Sequence, residues 1–91
     1  MVIRNIVDII ISYSNRNDAM RLHQGLIKLG VKNIIVPTPN QVSSSCGLSI
    51  KTKYSLLNKV IFVIRQLGLP QNYRLYGEQK TLNRISYIKL N

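Results

Sequence analysis

The chain has 91 residues, of which 45% are hydrophobic and 18% charged. One small domain fits that length; a multidomain enzyme or a long disordered tail does not. Thirteen Lys and Arg stand against three acids, Asp8, Asp18 and Glu78, for a formal net charge of +10, so anionic partners are expected: nucleic acid, an acidic protein or a small anion.

The cations are scattered, with no run of five like charges. Cys46 is the single cysteine and His23 the single histidine. An internal disulfide, a multi-cysteine zinc site and a histidine cluster are therefore excluded. The apolar stretch 6–11 is broken by Asp8 and has no small-residue cleavage site after it, unlike a signal peptide. No apolar run approaches the roughly 20 residues of a membrane helix. A cytoplasmic protein, with no membrane partner, is the expectation.

Residues 6–13 are rich in β-branched side chains and predict a strand. Alternation puts Val7, Ile9, Ile11 and Tyr13 on one face and Ile6, Asp8, Ile10 and Ser12 on the other, more solvated one. Turn residues 14–17 lead to a helix capped by Asn17 or Asp18 and stopped by Gly30. Ala19, Leu22, Leu26 and Leu29 recur at helical spacing and should face the sheet, with Arg21, Gln24 and Lys28 opposite. Gly25 costs this helix up to about 1 kcal/mol relative to Ala, which suggests a close approach to the sheet.

A second strand is expected over 31–36, stopped by Pro37-Thr38-Pro39. After a polar loop, residues 48–51 predict a short third strand. A second helix spans 54–67 and ends at Gly68 and Pro70. Its apolar half holds Leu56, Leu57, Val60, Ile61, Val63, Ile64 and Leu67; Phe62 falls among the polar residues, either as an exposed partner contact or covered by the C-terminal tail. Residues 73–76 predict a fourth strand. Residues 78–91 are ambiguous: Leu82, Ile85 and Ile88 fit a helix, and residues 85–90 fit a strand.

The order β-α-β-β-α-β predicts a ferredoxin-like α+β sandwich, with two helices on one face of a four-stranded antiparallel sheet. The domain would cover residues 1–79, with 80–91 as a C-terminal extension.

The loop Asn40 to Gly47 is the most informative stretch. Pro37 and Pro39 stiffen its approach. Ser43, Ser44 and Ser45 are small and leave backbone N–H groups free to form an anion-binding nest. Gly47 admits unusual dihedrals beside the sulfur. Such a nest, in a positive field, favours the thiolate of Cys46, which is the nucleophilic form. A simply buried Cys46 is the competing reading. No G-x-S-x-G elbow appears, and His23 belongs to the helix margin, so a serine nucleophile is not indicated.

The run Val36-Pro37-Thr38-Pro39 followed by Ser43-Ser44-Ser45-Cys46-Gly47-Leu48-Ser49-Ile50 resembles the signature of the selenium/sulfur carrier-like family. Tyr13-Ser14, Asp18-Ala19-Met20-Arg21 and Gly30 resemble that family's first turn and helix. The resemblance spans about residues 6–77. It implies that Cys46 is a carrier thiol, and that an acceptor sulfur-carrier protein is a partner. Where the family often has a basic residue after the second proline, this chain has Asn40. Lys51 or Lys53 would have to supply that charge in space.

Three functions remain open. As a carrier, the protein would take sulfur or selenium onto Cys46 from a donor such as a cysteine desulfurase and pass it on. It would be an accessory protein more than an independent enzyme, with no cofactor beyond its covalent cargo. As a nucleic-acid module it has the charge, but the first strand's open face lacks stacking rings; Tyr54, Tyr73 and Tyr76 are the remaining candidates. As a homo-oligomer it would use Ile6 and Ile10 on an exposed sheet face.

Overall fold

A computed structural model describes residues 6–42, 47–82 and 84–91. The elements are β1 (Ile6–Ser12), α1 (Arg16–Lys28), β2 (Ile34–Pro37), β3 (Leu48–Lys53), a 3-10 turn (Tyr54–Leu56), α2 (Leu57–Gln66), β4 (Arg74–Thr81) and β5 (Arg84–Lys89). The sheet is antiparallel throughout, in the order β2-β3-β1-β4-β5. The architecture is α+β with five strands, not the four expected, because residues 84–89 pair with β4. The strand reading of the tail holds. Asn91 extends this pairing: its side chain accepts from Leu75 N at 3.0 Å and donates to Tyr73 O at 2.8 Å.

β1 lies at the centre. Ile9, Ile11 and Tyr13 face both helices, packing with Leu22 and Leu26 of α1 and Val60 and Ile64 of α2. Burying each large aliphatic side chain contributes about 1.5–3 kcal/mol. The alternation breaks at the strand's start. Ile6 pairs with Gln79 and Asp8 with Glu78, so β1 spends two residues where β4 spends one. This β-bulge turns Ile6 onto the helix side, where it covers Gly77; a Cβ there would lie 2.8 Å from Ile6 Cδ1. Val7 is left 60% exposed. The expected faces of Ile6 and Val7 are thereby exchanged.

Ile10 does point away from the helices, yet it is fully buried. Neither Ile6 nor Ile10 therefore offers the exposed apolar face expected for self-association.

The cap of α1 is Asn15, whose side chain accepts from Asn17 N at 2.8 Å, rather than Asn17 or Asp18. Asp18 lies in the first turn, where a carboxylate favours the helix dipole. Gly30 takes φ +74° at the stop, as expected. Leu29, expected against the sheet, is half exposed, because the helix has already ended there.

Gly25 does mark a close approach, but to α2 and not the sheet: a Cβ would lie 2.7 Å from Leu67 Cδ1. Val31 is buried in the turn before β2, which starts at Ile34. The third and fourth strands run on to Lys53 and Thr81. The second helix opens as a 3-10 turn, and Leu67 at its end is partly exposed. Phe62 is exposed among the polar residues, so of its two readings the covering by the C-terminal tail does not hold.

Tyr13 joins the end of β1 to the chain after α2. Its hydroxyl donates to Pro70 O at 2.9 Å, and its ring meets Tyr73 with centroids 5.8 Å apart. Burial first, then the nearby Tyr73 and Asp18, push the phenol's pKa well above its ordinary 10.0. The unfolded chain therefore ionises Tyr13 more readily than the folded one. Its contribution is complete below pH 10.0 and is lost as pH rises beyond it. Tyr13→Phe should cost about 1 kcal/mol at neutral pH and flatten the alkaline fall in stability. Urea denaturation at neutral pH and at about pH 11 measures both; an alkaline fall as steep as wild type would contradict the assignment.

Candidate functional site

The connection between β2 and β3 leaves one end of the sheet. Pro37 is the last residue of β2 and pairs with Leu48. The strand does end in the Pro37-Thr38-Pro39 block as expected, one residue later than predicted, and β2 can include Pro37 because it is an edge. The next residue, Thr38, donates its N–H inward to Gly47 O at 2.9 Å. Backbone groups alternate along a strand, so the nitrogen of Pro37 falls on the solvent side and no ladder bond is lost. Gly47 closes the connection with φ +74°, a conformation that glycine adopts without the Cβ penalty.

Further bonds hold the base. The hydroxyls of Thr38 and Ser49 share a hydrogen bond of 2.8 Å. Val42 N donates to Pro39 O at 2.9 Å, forming a turn after the second proline. Val42 is buried but does not belong to the core cluster on the helix side. Among the described residues, the other buried hydrophobic outside that cluster is Ile10, on the sheet face the helices leave uncovered.

The structure thus brings Pro37, Thr38, Gly47 and Ser49 together at the base, with Pro39 in the following turn. Ser43, Ser44, Ser45 and Cys46 lie outside the described residues. Thr38, Val42 and Ser49 were not singled out from the sequence. The alternation of polar Ser49 with apolar Leu48 and Ile50 was the available signal, since it marks a polar group on an otherwise buried strand.

Both lysines offered as substitute cations are paired with acids. Lys51 Nζ lies 3.0 Å from Glu78 Oε1 and 3.9 Å from Asp8 Oδ2. Its approach to Glu78 is off the hydrogen-bonding direction, so this attraction is chiefly Coulombic. Lys53 Nζ lies 3.2 Å from Asp8 Oδ1, and Lys80 4.0 Å from Glu78 Oε1. Asp8 and Glu78 stand in register on β1 and β4, a repulsive pair that these cations offset. The charge expected to replace the missing basic residue after Pro39 is thus engaged elsewhere. Arg74 occupies the loop end of the sheet, in register with Ser12, which is in register with Ser49.

Tyr87 completes the acidic pair, donating its hydroxyl to Glu78 Oε2 at 3.1 Å. Burial, then this bond and the carboxylate's charge, raise its pKa. Tyr76 and Tyr87 project from β4 and β5 on the open face, where rings had been expected to be missing from β1. His23 is tied to the turn before β2, its Nδ1 lying 2.6 Å from Asn33 Oδ1. It therefore serves the far end of β2, consistent with a helix-margin role. Among the described residues, no group of three or more His, Cys, Asp or Glu could hold a metal ion. No helix among them is long and apolar enough to cross a membrane.

The lysine network separates a buried pairing from an exposed one. Glu78 has 5% of its side chain exposed and Lys51 26%, whereas Lys53 is 62% exposed. Lys51→Ala should cost about 1–3 kcal/mol by leaving Glu78 poorly compensated. Lys53→Ala should cost under about 1 kcal/mol. Urea denaturation of the two variants tests the ranking, and equal losses would contradict it.

A family model described as "Putative Se/S carrier protein-like" matches residues 8–72, more than two thirds of the chain. Neither a curated protein nor a solved structure matches. The match runs from β1 past the end of α2 and includes the whole connection from Thr38 to Gly47. The chain belongs to the putative Se/S carrier protein-like family.

Proposed function

We propose that the protein carries sulfur or selenium on Cys46, as a persulfide or selenopersulfide, between a donor and an acceptor protein. The observation that carries this reading is the family match across the connection that holds Cys46. The geometry at its base supports it. Pro37 and Pro39 stiffen one side, Gly47 closes the other, and the Thr38 bond to Gly47 fixes their separation. Ser43, Ser44 and Ser45 would supply hydrogen bonds to an anionic sulfur.

The transfer balances without an external oxidant. The Cys46 thiolate attacks the outer sulfur of a donor persulfide, such as that of a cysteine desulfurase. A new S–S bond forms at Cys46, the donor's S–S bond breaks, and the donor cysteine leaves as thiolate. An acceptor thiolate repeats the exchange and returns Cys46 to its starting state. Selenium in place of the outer sulfur follows the same path. An acceptor sulfur-carrier protein is the natural recipient, and the cytoplasm the natural setting.

We read β1 to β4 with the two helices as a ferredoxin-like core. In that reading the domain proper ends near residue 79, and the tail adds an edge strand to it. The strand order β2-β3-β1-β4 supports this, with β5 added outside β4. The alternative function, nucleic-acid binding on the open face, gains Tyr76 and Tyr87 as stacking rings. At the centre of that face, however, Lys51, Lys53 and Lys80 are already engaged by Asp8 and Glu78, which leaves them less available to phosphate.

Incubation with a cysteine desulfurase and cysteine, followed by intact-mass spectrometry without reductant, tests the proposal. The expected product is heavier by about 32 Da for each sulfur carried. The adduct should vanish on treatment with dithiothreitol and be missing in Cys46→Ser. An unmodified Cys46, under conditions that load a known carrier protein, would contradict it.

A further inference from the structure

The helix layer carries a groove that the carrier reading leaves unused. It forms where Gly25 lets α2 come close to α1, with Val63 Cγ1 only 2.9 Å from where a Cβ would stand. A hollow of about 400 Å³ lies over this contact, walled by Leu29, Phe62 and Leu67. All three large side chains remain in water: Leu29 is 53% exposed, Phe62 51% and Leu67 36%. Lys28 lines the same hollow and continues with Arg21 into an adjoining one. Lys59 and Arg65 stand three residues either side of Phe62, on its side of α2, and both are exposed. The only acid on the two helices is Asp18, in the first turn of α1.

We propose that this groove binds an acidic, amphipathic segment of a partner protein. An apolar side chain of the segment rests against Phe62 and the Gly25 floor, while its carboxylates meet Lys28, Lys59 and Arg65. The concave apolar wall decides the class of partner, because burying it requires an apolar side chain. A nucleic-acid backbone would satisfy the cations and leave Leu29 and Phe62 in water. A second copy would bring another +10 chain, with the same basic rim, against this one. The helix layer covers the sheet face opposite the Asp8–Glu78 pair, so the groove stands apart from the open face. The inference uses no property of Cys46.

Fluorescence anisotropy with one labelled peptide tests it. The probe is a 16-residue peptide with Leu at helical positions i, i+3, i+4 and i+7 and Glu at most others. It should bind with a dissociation constant in the micromolar range. Phe62→Ser and Lys28→Glu should each weaken binding by roughly 10-fold, while Lys89→Glu, on the open face, should leave it unchanged. Circular dichroism melts check that the variants fold; Lys28→Glu, a surface change, keeps the test decisive if Phe62→Ser does not. The same peptide with every Leu replaced by Ser should not bind. No binding up to about 1 mM, or binding indifferent to both substitutions, would overturn the proposal. So would tighter binding to a single-stranded oligonucleotide or phosphatidylserine vesicles that Phe62→Ser abolishes, or a dimer in sedimentation that Phe62→Ser dissolves.

Discussion

The middle of β1 is sealed on both sides. Ile9, Ile10 and Ile11 are consecutive and have no exposed surface. In a strand, consecutive side chains point to opposite faces, so both faces must be covered here. The helices cover Ile9 and Ile11. Ile10 is in register with Lys51 and Tyr76, whose side chains flank it on the other face. Everything else follows from keeping this strand central. Its two ladders fix β3 and β4, β3 fixes the edge strand β2, and β2 with β3 sets the base of the connection that holds Cys46.

Much of this was legible in the residues. The β-branched run of β1, the spacing of Ala19, Leu22 and Leu26, and the glycine stop at Gly30 each express a local rule strong enough to survive tertiary packing. Helical geometry placed Phe62 among the polar residues, but whether the tail covered it could be settled only by where the tail pairs. The failures have a common source in long-range pairing. Nothing near Ile6 and Val7 announces a bulge, because the bulge is a mismatch with β4, about seventy residues away. Residues 85–90 fit two periods, and only pairing with β4 selects the strand. Lys51 and Lys53 carry no local mark of their partners, since Glu78 and Asp8 reach them only through strand order.

The candidate site was legible in part. Pro37, Pro39 and Gly47 could be picked out by their backbone chemistry, and the structure assigns each a definite place at the base. The hydrogen bond between Thr38 and Ser49 could not be, since it joins a residue just past β2 to one on β3 across the connection. The basic surface also divides in a way composition conceals. Asp8 and Glu78, two of the three acids, are gathered at one spot with three lysines around them. Elsewhere the positive charge is left largely unopposed, and that field favours anions, including a thiolate.

The carrier account stands on an ionised, reachable Cys46 in the native protein. The rate at which iodoacetamide alkylates the folded chain, followed across pH, reports both properties at once. The account predicts prompt labelling, with an ionisation midpoint below the roughly 8.5 of an ordinary thiol. A thiol that labels only after urea has unfolded the chain would contradict it.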